Sequence, residues 1–300
     1  TIDLTHIIST SGAYIPGHGT PTVILMGRNR PPASSSIRAV MGINGEPTTP
    51  ADPAQGLVWT AIVNQIDQRG SESEWVSVAD IERDKLAKHP WSMGGGGAAE
   101  LRELIESRGA ARFDELITDA GFFGISAADE AYVLPPYVPA TLSLLPSDCK
   151  PVVSGDEVRD WVATAEQVVI FPYAVGALAD IEESPGMYQY LWPLRTVLWA
   201  RTTFNKRTYR DEGRSWWEWH QVVLRRIDAP LSITVGEIAT HNHFVLDRGG
   251  KVFNRTAPVI KLSSEATEDD HLGVLGLLNS STGCFWLKQV CFPKGGDHMG

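Results

Sequence analysis

The sequence predicts a mixed α/β (α+β) fold, and three observations predict it. Short β-branched and apolar runs lie near the start, at residues 4–9 and 22–26, and return between 231 and 262, as expected of half-buried or buried strands. Elsewhere apolar residues recur every three to four positions, as in Leu57, Val58, Ile62 and Ile66, the period of a helix buried along one face. The 300 residues are 43% hydrophobic, enough for one large core or two smaller ones.

Taken in order, residues 4–9 and 22–26 read as a hairpin with a shaped Gly/Pro-rich connection, Gly12-Ala13-Tyr14-Ile15-Pro16-Gly17-His18-Gly19. Residues 30–56 are rich in Pro, Ser, Thr and Gly without a sustained period and read as a linker or an irregular excursion. Leu101, Leu104 and Ile105 form a helical face ending at Gly109; Phe113, Leu116 and Ile117 form another that stops at Gly121. Val158, Trp161 and Val162 mark a short helix, and 168–171 a buried strand. Residues 188–204 are helical in pattern, with Pro193 as a kink or a start. Strands are expected at 231–238, 243–246, 251–253 and 258–262, the middle two joined as a hairpin by Asp247-Arg248-Gly249-Gly250. Residues 271–290 close the chain as helix, broken at Asn279-Ser280.

Composition excludes several classes. No apolar run approaches the roughly 20 residues of a membrane span. Three scattered cysteines (Cys149, Cys284 and Cys291) do not make a disulfide framework and fit a reducing cytoplasm. Thr1 opens directly on strand-like sequence without a basic leader, and Lys294-Gly295-Gly296 onward carries no closing element, so both ends read as cuts from something longer. The net charge of −10 argues against a protein coated in nucleic acid. Residues 195–261, however, hold 12 Lys/Arg against 6 Asp/Glu, which confines any DNA surface to that basic segment.

Within it, Arg201, Lys206, Arg207, Arg210 and Arg214 lead into Trp216-Trp217-Glu218-Trp219-His220. Basic residues interleaved with aromatics suit phosphate contact plus stacking or wedge insertion. The plainer reading is a tryptophan core beneath a solvated basic surface, and Trp216 and Trp219 share a helical face that favours core for at least one. Arg248, Lys251 and Arg255 complete the expected DNA-contacting set with Trp217. His241, His243, Asp270 and His271 offer a metal or HNH-like nuclease alternative, but a further His after Asn279 is missing before His298, so no metal site is assigned. Trp91-Ser92-Met93-Gly94-Gly95-Gly96-Gly97 precedes a helix without a preceding strand or a following Lys-Ser/Thr pair, so it is not a phosphate loop. Leu134-Pro135-Pro136-Tyr137 has Leu where an amine methyltransferase needs Asn or Asp, and reads as a proline turn.

Four blocks together are similar to the PglX family of adenine-specific DNA methyltransferases of BREX phage-resistance systems. They are the 10–25 hairpin with its Tyr14-Ile15-Pro16-Gly17-His18 loop, His89-Pro90-Trp91 with its glycines to Gly97, residues 236–248 around Thr240-His241-Asn242-His243-Phe244, and residues 277–287 around Asn279-Ser280-Ser281-Thr282-Gly283-Cys284-Phe285-Trp286. The resemblance implies three parts: 1–30 as the last hairpin of a Rossmann-like methyltransferase sheet, 31–165 as a linker and mainly helical connecting region, and 166–300 as a truncated α/β target-recognition domain. It implies that Tyr14, with Pro16 and His18 beside it, supports a flipped adenine, because an extruded base needs a stacking partner. It also implies double-stranded DNA as partner, with other phage-defence proteins beside it. The Phe-x-Gly-x-Gly loop for S-adenosylmethionine and the Asn-Pro-Pro-Tyr motif are both absent, so no cofactor is expected in this chain and no methyl transfer by it alone. The expectation is a DNA-recognition portion of such an enzyme. The alternatives are a metal-dependent nuclease and a non-catalytic interaction module of a defence complex.

Overall fold

A computed structural model describes residues 2–19, 21–87, 91–174, 176–228 and 230–291. Thr1, Thr20, His89, Pro90 and the 294–300 tail with His298 lie outside the described residues. The chain forms two compact units, one of residues 1–110 with 285–300 and one of residues 111–284. Chain contacts therefore divide at 110, away from the expected borders at 30 and 165.

The first unit is built on a four-stranded sheet. Strands β1 (Asp3–Ser9), β2 (Val23–Arg28), β3 (Ser36–Gly42) and β4 (Val76–Glu82) lie in the order β2-β1-β3-β4. The expected hairpin is present: β1 and β2 pair antiparallel, with Ile7 opposite Leu25 and Ser9 opposite Val23. The 30–56 stretch is not all linker. It contains β3, parallel to β1 and antiparallel to β4 across seven residue pairs. Prolines and serines at 31–35 obscure a strand whose Ile37, Ala39, Val40 and Met41 are buried, and whose one charge, Arg38, donates to Asp80 Oδ1 at 2.5 Å. Helix α1 (Leu57–Gln65) seals one face by packing Val58, Ala61 and Ile62 on Ile8, Val40, Val76 and Val78. The Glu46 carboxylate accepts the amides of Leu57 and Val58 at 3.1 and 2.8 Å, satisfying two unpaired donors and placing negative charge at the positive end of the helix. The expected helix ending at Gly109 is α2 (Ala98–Arg108).

All six residues of β2 are exposed, Val23, Ile24, Leu25 and Met26 among them, and among the described residues its outer edge has no partner strand in the sheet. Such an apolar edge templates strand addition. Ile24→Lys is expected to suppress concentration-dependent self-association, read by sedimentation velocity, without lowering the unfolding temperature.

The second unit holds two further four-stranded sheets. In the first, Cys149–Val153 lies between Val252–Phe253, parallel to it, and Gln167–Ile170, which then pairs antiparallel with Val133–Leu134. In the second, Val245–Asp247, Ser232–Thr234, Val259–Leu262 and Ile117–Gly121 follow in that order. The core gathers Phe123, Tyr132, Ile170, Leu191, Leu198, Trp216, Trp219 and Phe253. Pro193 separates the helices Pro185–Leu191 and Arg195–Trp199, as its fixed ring requires. The closing helix breaks where expected, into Glu268–Leu278 and Ser281–Val290.

Three expected elements are corrected. The face ending at Gly121 is one helical turn, Phe113–Leu116, followed by the strand Ile117–Gly121, whose alternating burial suits its β-branched Ile117 and Thr118. The helix expected at 158–162 is a hairpin of Val158–Arg159 and Val162–Ala163. The hairpin expected across Asp247-Arg248-Gly249-Gly250 does not form, because its flanking strands belong to different sheets. Gly249 and Gly250 adopt φ of +94° and +82°, and this left-handed pair carries the chain from one sheet to the other.

Asp119 ties the second sheet to its surroundings, accepting from Arg226 Nη2 at 2.7 Å and Arg225 Nε at 2.9 Å. The hydrogen bond from Arg226 above all holds its carboxyl at about 2. The folded value lies below the ordinary 3.8, so the stabilisation is complete above about pH 4 and is lost as pH falls toward 2. Asp119→Asn should cost about 2 kcal/mol at pH 7 and roughly half as much at pH 3, compared by urea unfolding at both values.

Candidate nucleic-acid interface

In the first unit, the connection between β1 and β2 is a fixed shape. Thr10 accepts the Ala13 amide at 3.0 Å, Ile15 accepts the His18 amide at 3.1 Å, and Gly17 turns the chain at φ +68°. Gly12 lies so close to strand-end backbone that a Cβ there would sit 2.4 Å from the Asn44 carbonyl oxygen. The loop, Pro53 and α1 border an open hollow of about 350 Å³ whose lining includes Tyr14, Pro16, Pro53 and Trp59. Tyr14 and Pro16 thus share one apolar cavity, whereas His18 is exposed and is not among the lining residues. The sequence reading missed Trp59. Its signal was an aromatic on α1 out of phase with the Val58, Ala61 and Ile62 core face.

In the second unit the basic stretch separates into two groups. Arg201 is structural: its guanidinium donates to the carbonyls of Leu198, Ser126, Trp216 and Glu218 at 2.7–2.9 Å and stacks over Tyr209 at 4.3 Å. Arg214 also stacks over Tyr209, at 4.2 Å, donating to Trp219 and His220 carbonyls and pairing with Glu218. Their two charges, after burial, push the His220 imidazole below its usual range. Trp217 is no wedge either; it packs against the core and donates its indole N–H to the Ala179 carbonyl at 3.1 Å.

Lys206, Arg207 and Arg210 face outward. Lys206 and Arg207 sit on a loop closed by the Thr202–Thr208 bridge, with Lys206 at φ +59°, and Arg210 follows two residues after Thr208. Glu212 braces the loop by accepting from Thr203 and Asn205 at 2.7 and 3.1 Å. Arg210 rests over Trp199 at 5.6 Å, and Phe204 at the tip is 79% exposed. Elsewhere Arg248 pairs with Glu268 and Lys251 with Asp247, while Arg255 is exposed. Lys206, Arg207, Arg210 and Arg255 therefore remain as outward cations, whereas Arg201, Arg214 and Trp217 hold the frame.

The other chemical motifs have structural duties. Asp270 caps its helix by accepting the Thr267 amide at 2.8 Å, and buried His271 contacts the Thr267 carbonyl oxygen at 2.7 Å. His241 and His243 lie on a loop, not on a strand. Among the described residues no three His, Cys, Asp or Glu side chains are grouped to hold a metal. Burial pushes the Cys149 thiol up to about 11, which makes it a poor nucleophile. Gly95 is needed for packing: its amide bonds the Gly42 carbonyl at 2.8 Å, and a Cβ would meet Ser77 Oγ at 2.6 Å. Leu134 is buried in its strand and Tyr137 is 75% exposed, so that pair forms no base pocket. Among the described residues no helix is long and apolar enough to cross a membrane.

The chain shares its fold with part of the type IIL enzyme MmeI, solved in complex with DNA, at a TM-score of 0.50 and 10% identity over 98% of this chain and 33% of that one. No family model matches the sequence. Over its whole length the chain is similar to the adenine-specific methyltransferase PglX of Streptomyces coelicolor, 46% identical across 305 aligned residues. It spans about a quarter of that relative's length.

Proposed function

We infer that this chain is the DNA-recognition portion of an adenine-specific, S-adenosylmethionine-dependent DNA methyltransferase of a phage-defence system, and that it transfers no methyl group alone. The observation that carries this reading is the end-to-end 46% identity to PglX. Three features agree with it. The outward cations on the 202–208 loop and Arg255 suit phosphate contact. The aromatic cavity of Tyr14 and Trp59 is of a size to take a planar base and is lined mainly by apolar groups, which suits stacking on a base whose edge is read elsewhere. The unpaired apolar edge of β2 suits completion by strands of a longer enzyme, where the methyl donor would be held. Double-stranded DNA is thus the proposed partner, in the cytoplasm, with other defence proteins as further partners.

The test is a titration of the purified chain against a labelled duplex at low salt, repeated with rising salt. Binding that weakens steeply as salt rises supports the reading. A flat titration at low salt overturns it.

A further inference from the structure

The 158–163 hairpin carries a feature that none of the assigned roles uses. Its two central residues, Asp160 and Trp161, adopt φ of +48° and +70°. Tight hairpins favour this left-handed pair, but glycine and asparagine are the residues that adopt it cheaply. A tryptophan there is strained, and such strain persists where surrounding structure enforces it. Nor does core packing account for it: Trp161 is 64% exposed and its neighbour Val162 is 55% exposed.

The hairpin is held firmly from below. Val162 pairs with Arg159 and Ala163 with Val158, and the Thr164 amide closes on the Glu157 carbonyl at 3.3 Å. The Asp160 amide meets His243 Nδ1 at 3.4 Å. At the hairpin's foot the Gly155 amide bonds Thr256 Oγ1 at 2.9 Å, and a Cβ on Gly155 would lie 2.3 Å from the Thr256 carbonyl oxygen. The contact is too close for any other residue, and it fixes the hairpin to the loop that carries Arg255. The hairpin that presents the exposed indole is thereby hydrogen-bonded, at its foot, to the residue next to an outward guanidinium.

We propose that Trp161 is a DNA-contacting wedge that stacks on a base step while Arg255 engages the adjoining phosphate. The proposal rests on the DNA-recognition reading above. The chemistry is that of apolar side chains inserted between bases from a stiff support, for which rigidity matters more than hydrogen bonding. The hairpin tip carries one positive and one negative side chain, Arg159 and Asp160, so the indole supplies affinity there without neutralising phosphate.

The experiment is duplex titration of the full chain and of Trp161→Ala, Trp161→Phe and Trp161→Gly across a salt series, with thermal unfolding of each. Trp161→Ala should weaken binding roughly 5- to 150-fold, leaving the slope of log affinity against log salt unchanged. Trp161→Phe should recover most of the loss. Trp161→Gly should bind as poorly as the alanine variant yet unfold at an equal or higher temperature, because the strain is relieved. Binding by Trp161→Ala within twofold of the parent overturns the proposal and leaves the DNA-recognition reading standing. The same holds if the loss comes with a shallower salt slope, or if Trp161 variants change only the association state, which would make the hairpin a protein contact. Failure of the parent chain itself to bind overturns both.

Discussion

Arg201→Ala is expected to destabilise the protein by about 3 kcal/mol or more, and to do so whether or not DNA is present. The side chain is a hub. Its guanidinium donates to four carbonyls drawn from 126, 198, 216 and 218 and lies over Tyr209. Hydrogen bonds from a charged donor contribute about 1.5–3 kcal/mol each and do not add fully, and removing the donor leaves carbonyls without a partner in a part-buried site. Arg201→Lys should rescue little, because an ammonium lacks the planar fork that reaches four acceptors. Urea unfolding checks both variants. A loss below 1 kcal/mol for the alanine variant would refute the assignment of Arg201 to the frame.

The outward cations should behave in the opposite way. Changing Lys206, Arg207 and Arg210 together to alanine should leave thermal unfolding near that of the parent. Duplex affinity should fall by roughly an order of magnitude or more, and the salt slope should become shallower by about 2 to 3, near one per phosphate released. Fluorescence anisotropy at several salt concentrations gives both quantities. An unchanged slope would mean that this loop does not touch the phosphate backbone.

These two variants mark the limit of what the residues disclose unaided. Arg201 and Arg207 look alike in sequence, and what separates them is Ser126, whose carbonyl comes from 75 positions upstream. The β1–β2 hairpin was legible because glycine and proline punctuate two apolar runs. Strand β3 was not, since its prolines and serines precede a segment whose burial depends on β1 and β4 lying on either side of it. The 158–163 turn misled for a related reason: Val158, Trp161 and Val162 have helical spacing, but left-handed backbone at Asp160 and Trp161 turns that spacing into two strands. Of the proposed base pocket, Tyr14 and Pro16 were legible in the loop. Trp59 arrives from α1, about 45 residues later, and only folding sets it beside them.

The closed loop at 202–208 has a consequence for how such a protein changes over time. Its two ends meet at the Thr202–Thr208 bridge, and just beyond them the Tyr209 amide bonds the Arg201 carbonyl at 3.0 Å. The segment between is attached to the rest of the molecule like a bead on a clasp. Residues inside the clasp are free to be exchanged, lengthened or recharged with little effect on the frame, because loop-closure entropy grows slowly with length. Substitutions can then accumulate on this surface repeatedly while Arg201, Tyr209 and Arg214 keep the frame.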